Sequence, residues 1–257
     1  SLGVQSFVQR EMARTGRRHT AATVAAEVAL LREEGIEAIN IDLIAGLPGQ
    51  TPTSWNQSLD WVERLGVGHV SVYMLEVDED SRLGRELLNG GTRYGAREAP
   101  DEEATAELYE IAVERLANAG IYRYEISNFA RPGEESRHNL KYWRLEPYAG
   151  FGADAHSFDG LRRSQNVESA QEYVERWRRG ISAVVEDAPA CPEQERFYVG
   201  LRLREGVVPA PEDWGRFQAP IARFLEAGLL ERRGDTLRLT GRGVLLSNEV
   251  FQEFVGT

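Results

Sequence analysis

The chain has 257 residues, 42% hydrophobic and 28% charged, enough apolar material for one or two cored domains and too much for a disordered or collagen-like chain. Thirty Lys and Arg against 41 Asp and Glu give a formal net charge of −11, which repels phosphate backbones, so no nucleic-acid partner is expected. No run of about 18 apolar residues occurs, so no transmembrane segment is predicted, and a single cysteine, Cys191, excludes a disulfide framework and points to a reducing, cytoplasmic setting.

The opening run Ser1-Leu2-Gly3-Val4-Gln5-Ser6 reads as a strand. A chain that opens inside a strand predicts a fragment with material missing on its N-terminal side. After the arginine-rich stretch 10–19, Thr20 is placed to cap a helix whose apolar face is Val24, Val28 and Leu31, closed by Gly35. Residues 39–45 are apolar apart from Asn40 and Asp42, as suits a strand covered on both faces. The turn-rich segment 46–51 follows, then a helix capped by Ser54 with Trp55, Leu59 and Val62 on one face and Gly66 at its end. Residues 69–75 alternate His69, Ser71 and Tyr73 with Val70, Val72 and Met74. Strand, helix, strand, helix, strand predicts a parallel α/β sheet.

Pro100 and Asp101 open a further long helix to Ala119, and 122–129 reads as another strand. The stretch 136–166 reads as irregular, rich in glycine and aromatic residues, and holds two of the four histidines. A helix bearing Tyr173 and Trp177 leads to Asp187-Ala188-Pro189-Ala190, read as a domain boundary that divides the chain into 1–187 and 188–257. Beyond it come helices near 193–203 and 219–227, a hairpin turned at Gly234-Asp235, and a last helix over 243–254 capped by Thr240. Helix, helix, hairpin outlines a winged-helix-like α+β module. Its last helix carries Glu249 and Glu253 and no base, which argues against DNA and for a structural or partner-docking role.

On residue type alone, Asp42 in an apolar strand must meet either a structural donor or a ligand, since an unpartnered carboxylate is costly there. Gln5 reads by default as a hydrogen bond to a neighbouring strand and Arg17 as a solvated charge. His138 and His156 sit in dense segments, His138-Asn139-Leu140-Lys141-Tyr142-Trp143 and Gly150-Phe151-Gly152-Ala153-Asp154-Ala155-His156, where glycines admit close approach and aromatics offer flat apolar surface. A lone histidine is more often a structural hydrogen bonder than a ligand. No zinc spacing, P-loop or nucleophile elbow is present.

These two segments, with Ser1-Leu2-Gly3-Val4-Gln5-Ser6-Phe7 and the run from Asn40 to Thr51, together resemble the radical S-adenosylmethionine (SAM) proteins related to oxygen-independent coproporphyrinogen III oxidase, and within them a heme-chaperone branch. The resemblance implies an incomplete TIM-like barrel of later strands followed by the C-terminal module. It implies that Gln5, Arg17 and Asp42 contact SAM: amide and carboxylate suit ribose hydroxyls, and a guanidinium suits the methionyl carboxylate. It also implies a 4Fe-4S cluster whose cysteines lie upstream of Ser1, so that this chain alone neither assembles the cluster nor cleaves SAM. The chaperone branch implies heme, with His138 and His156 as candidate ligands, and an unspecified heme acceptor. The oxidase branch, in which the position of His156 is typically apolar, would instead decarboxylate coproporphyrinogen III.

Overall fold

The computed structural model describes residues 1–14, 16–76, 85, 86, 89, 91 and 93–255. Two compact units are present, Ser1–Glu135 and Ser136–Thr257.

The first unit carries β1 (Leu2–Gln5), α1 (Gln9–Arg14), α2 (Ala21–Glu33), β2 (Asn40–Ala45), α3 (Pro52–Leu65), β3 (His69–Met74), α4 (Glu102–Asn118), β4 (Tyr122–Arg123) and β5 (Asn128–Ala130). Its five strands form one sheet in the order β1-β2-β3-β5-β4. β1, β2 and β3 run parallel, as the alternation of strands and helices predicts. The stretch expected as one strand over 122–129 instead folds back on itself, and β5 joins β3 antiparallel. Glu125 makes the turn: its Oε1 accepts from Ser127 N at 2.8 Å and Asn128 Nδ2 at 2.6 Å.

Helix ends follow local chemistry. The Thr20 hydroxyl caps α2 and the Asp101 carboxylate caps α4. Thr51, not Ser54, caps α3, because Pro52 takes the first helical position and Ser54, three residues on from the cap, completes a reciprocal capping box. Gly66 ends α3 at φ 62° in the left-handed region. Trp55, Leu59 and Val62 are fully buried, each contributing roughly 1.5–3 kcal/mol, and Trp55 Nε1 donates to the Leu108 carbonyl of α4.

The loop after β2 is held by Gln50. Its Oε1 accepts from Gly46 N at 2.7 Å and Leu47 N at 3.3 Å, while Nε2 donates to Ile44 O at 3.2 Å and to the buried Glu11 carboxylate at 3.4 Å. Gly46 has φ 97°, and a Cβ there would lie 2.8 Å from Thr105 Oγ1. No other residue type fits this turn without displacing α4.

The second unit carries α5 (Arg137–Trp143), β6 (His156–Phe158), β7 (Arg162–Asn166), α6 (Ala170–Arg178), β8 (Val184–Pro189), α7 (Pro192–Gly200), α8 (Pro211–Arg216), α9 (Gln218–Glu226), the hairpin β9 (Leu230–Arg233) and β10 (Thr236–Leu239), then α10 (Gly241–Leu245) and α11 (Ser247–Gln252). β6, β7 and β8 form an antiparallel sheet, so 136–166 is more ordered than its composition suggests. Asp187-Ala188-Pro189 is not a linker: these residues pair with Ser164, Arg163 and Arg162 on an edge strand, where proline is tolerated. The compact units accordingly divide at Glu135/Ser136, upstream of the expected 187/188 boundary. The expected last helix is two short helices, broken at Leu246. Phe197, Phe217, Phe224 and Phe254 pack at centroid distances of 4.6–6.2 Å.

Replacing Gln50 by Ala strips the acceptor from a buried backbone N–H. Chemical denaturation of Gln50→Ala is expected to show a loss on the order of 2–3 kcal/mol; an unchanged unfolding free energy would contradict this account of the loop.

Candidate functional site

Residues directly paired across strands project to the same face of a sheet. Gly3 pairs with Asp42, Asp42 with Ser71 and Ser71 with Asn128, making one transverse row over four strands. Asn40 pairs with His69 on the same face. The intervening residues Ile41, Leu43, Val70, Val72 and Phe129 are at most 1% exposed on the opposite, apolar face. The sheet therefore has one greasy side and one polar side.

The polar side is hydrogen-bonded throughout. Asp42 Oδ1 accepts from Asn40 Nδ2 at 2.7 Å, and Asp42 Oδ2 from the Ser1 hydroxyl at 2.8 Å. His69 Nδ1 lies 2.7 Å from Asn40 Oδ1, and His69 Nε2 lies 2.9 Å from the Tyr124 hydroxyl. Ser71 donates to Asn128 Oδ1 at 2.9 Å. Burial pushes the His69 imidazole down to about 4, against the opposing pull of the Asp42 and Glu135 carboxylates and with a smaller push from the N-terminal ammonium.

Gln5, two residues on from Gly3, follows it on this face by strand alternation, at an irregular strand end. The β1–β2 register shifts between Gly3 and Gln5, and Gln5 has φ 68°, a left-handed value that is uncommon outside glycine. Its amide lies beside Gly3: a Cβ on Gly3 would lie 3.1 Å from Gln5 Nε2 and 3.3 Å from Arg17 Nη2. The segment carrying Arg17 is tied to β1 by His19, whose Nε2–H donates to the Val4 carbonyl at 3.2 Å. Gln5 and Arg17 thus flank Gly3, and Asp42 is the neighbour of Gly3 on the next strand. The cradle exists because residue 3 has no side chain. An amide, a guanidinium and a carboxylate at one strand edge suit a ligand with hydroxyl groups and a carboxylate of its own.

In the second unit, His138 on α5 and His156 on β6 are both exposed. His138 packs edge-on against Tyr142 at 5.0 Å, Tyr142 lies 4.4 Å from Tyr148, and Tyr148 lies 6.3 Å from Phe158, which shares its strand with His156.

Over its full length the chain is 36% identical to the heme chaperone HemW of Bacillus subtilis (strain 168), of which it covers 69%. The chain belongs to the HemW family. A HemW of Mycobacterium tuberculosis (strain CDC 1551 / Oshkosh) is also 36% identical over the whole chain, with 65% of that relative covered. A mitochondrial radical S-adenosyl methionine domain-containing protein 1 of Bos taurus is 35% identical over 61% of the chain and 34% of its own length. The chain spans about two thirds of the length of the HemW relatives it matches over its full extent. No family model matches. Among solved structures, the Escherichia coli coproporphyrinogen III oxidase (HemN), a radical SAM enzyme, aligns over 98% of this chain and 62% of its own at TM-score 0.76 and 20% identity. The fold is therefore a partial radical SAM fold, α/β with a parallel sheet.

HemW kinship implies SAM and a 4Fe-4S cluster. The Gly3 cradle fits the first. The second finds no ligands here: among the described residues no three His, Cys, Asp or Glu side chains cluster to hold a metal, and Cys191 is exposed and unpaired with another cysteine. Also among the described residues, no helix is long and apolar enough to cross a membrane. Asn40, His69, Ser71, Tyr124 and Asn128 receive no site role from the sequence; the alternation of polar residues along β2 and β3 is a signal for the first three only.

Folded His69 gives up its proton at about pH 4, whereas an unfolded histidine does so near 6.5. The unfolded chain binds the extra proton first as pH falls, so the stability tied to neutral His69 is complete above about pH 6.5 and is lost progressively down to about 4. The full shift corresponds to about 3 kcal/mol. Urea unfolding at about pH 7 and about pH 4.5 is expected to show a difference smaller in His69→Asn than in the native chain by on the order of 2 kcal/mol; equal differences would contradict the depressed titration.

Proposed function

We propose that this chain forms the SAM-contacting part of a radical SAM heme chaperone. The carrying observation is the convergence of Gln5 and Arg17 around side-chain-free Gly3, with Asp42 paired beside it. Arg17 takes the methionyl carboxylate of SAM, and the Asp42 carboxylate and Gln5 amide take the ribose hydroxyls. The chain's contribution is to bind and orient; the 4Fe-4S cluster is held by residues outside those described. In the second unit the exposed imidazoles of His138 and His156, beside a run of aromatic rings, offer axial ligation and flat apolar surface to heme, which passes to an acceptor protein. The negative net charge supports a partner other than nucleic acid, and the exposed free thiol of Cys191 supports a reducing, cytoplasmic setting.

Calorimetric titration with S-adenosylhomocysteine is expected to show binding that falls about 10- to 100-fold in Asp42→Asn and in Arg17→Ala, the loss of one charged hydrogen-bonding partner in each case. Titration with heme is expected to give a Soret shift that His138→Ala or His156→Ala alters. Affinity for S-adenosylhomocysteine that is indifferent to both substitutions would remove the SAM assignment. Vinyl-forming turnover of coproporphyrinogen III by the full-length protein, with no Soret response to heme, would replace the chaperone with the oxidase.

A further inference from the structure

The hydrogen bonds that end on Asp42 have a direction, and chemistry sets it. An ionised carboxylate only accepts, so the group facing Asp42 Oδ1 must be the amide nitrogen of Asn40. The carbonyl end of that amide, Asn40 Oδ1, then faces His69 Nδ1 at 2.7 Å, and a carbonyl only accepts, so Nδ1 must carry a proton. The neutral imidazole has no second proton, and its Nε2 faces the Tyr124 hydroxyl at 2.9 Å, which must donate. One chain of donors therefore runs from Tyr124 through His69 and Asn40 to Asp42. It crosses from β3 to β2 and starts beyond the short strand β4, at the turn before β5.

We propose that His69 is a positioning residue for Asp42: as the Nδ1–H tautomer it donates to Asn40 Oδ1 and so holds the Asn40 side-chain amide with its nitrogen facing the Asp42 carboxylate. The inference rests on the reading of Asp42 as a SAM contact for its functional meaning. The geometry of the relay stands apart from that reading.

Three features support it. His69 is 9% exposed, so water cannot substitute freely for its partners. Asn40 Nδ2 also donates to the hydroxyls of Ser1 at 2.8 Å and Ser71 at 3.0 Å, so a reversed amide would bring its oxygen to the carboxylate and turn its nitrogen toward the Nδ1–H of His69. The contact of that oxygen with the carboxylate would be repulsive, and the reversed nitrogen would force His69 into the other tautomer. The titratable or charged groups acting on His69 are Asp42, Glu135 and the N-terminal ammonium, and burial outweighs the two carboxylates, keeping the ring neutral.

The test uses the whole 257-residue chain, labelled with 15N. Long-range imidazole spectra at neutral pH are expected to show His69 as the Nδ1–H tautomer, with Tyr124→Phe leaving that tautomer in place, because Asn40 Oδ1 still accepts from Nδ1–H. His69→Phe is expected to lose the resolved, exchange-protected Asn40 side-chain amide signals and to weaken S-adenosylhomocysteine binding about tenfold. His69→Asn, whose amide nitrogen superposes on Nδ1, is expected to restore both. An Nε2–H tautomer or an imidazolium in the native chain overturns the proposal, as does His69→Phe with the Asn40 signals intact. If His69→Phe does not fold, the native tautomer and its retention in Tyr124→Phe decide. If the native chain binds no S-adenosylhomocysteine while the tautomer and the Asn40 signals behave as stated, the SAM reading fails and the relay stands.

Discussion

A carboxylate in the middle of a β-strand constrains everything around it. Leaving Asp42 without partners on a half-buried sheet face would cost several kcal/mol, so neighbouring strands must supply donors. They do so by register: Asn40 on the same strand reaches Oδ1, and the Asn40–His69 and Asp42–Ser71 pairings carry the network onto β3. From Ser71 it continues to Asn128 and on to Glu125 in the turn that reverses the chain. A one-residue slip of β3 would turn Val70 and Val72 to this face and bury His69 and Ser71 among aliphatic side chains, so the polar row and the apolar core enforce the same register.

The same logic explains the irregular end of β1. Strand alternation places Gln5 on the face of Gly3, although the register shift pairs it with Leu43. The backbone at Gln5 is left-handed, a strain on the order of 1–3 kcal/mol, where its amide lies beside Gly3. That strain persists because Val4, Ile41 and Leu43 are packed to 2% exposure or less and hold the strand on either side. Gly3 is the other half of the arrangement, since a methyl group there would crowd both the amide and the guanidinium. A bulge, a strained residue and a glycine within three positions of one edge fit a site whose purpose is to aim side chains rather than to maximise stability.

Much of this architecture was legible in the sequence. Thr20, Gly66, Asp101 and Thr240 act where local capping chemistry places them, because caps depend on two or three adjacent residues. The parallel core followed from strands alternating with helices. What was not legible depends on contacts far apart in the chain. The turn at Tyr124–Ser127 is made by Glu125, an acidic residue that propensity alone assigns no such role. Residues 187–189 read as a domain boundary, and only pairing with 162–164 makes them a strand. The approach of Arg17 to Gly3 depends on His19 anchoring the intervening loop to Val4. His69 also meets Tyr124, 55 residues away, which no spacing rule connects to it.

The histidines of the two units show how environment, not residue type, decides what an imidazole can do. His69 has both ring nitrogens engaged and is buried, so its lone pair is spent on Tyr124 and its proton on Asn40; it cannot ligate a metal without dismantling the polar face. His138 and His156 stand exposed, the first against a ring edge and the second at the start of a short strand. One fold thus uses histidine in two opposite senses. In the first unit desolvation fixes a tautomer so that a neighbouring carboxylate is held in place. In the second, both rings stand open to solvent, near the aromatic run of Tyr142, Tyr148 and Phe158.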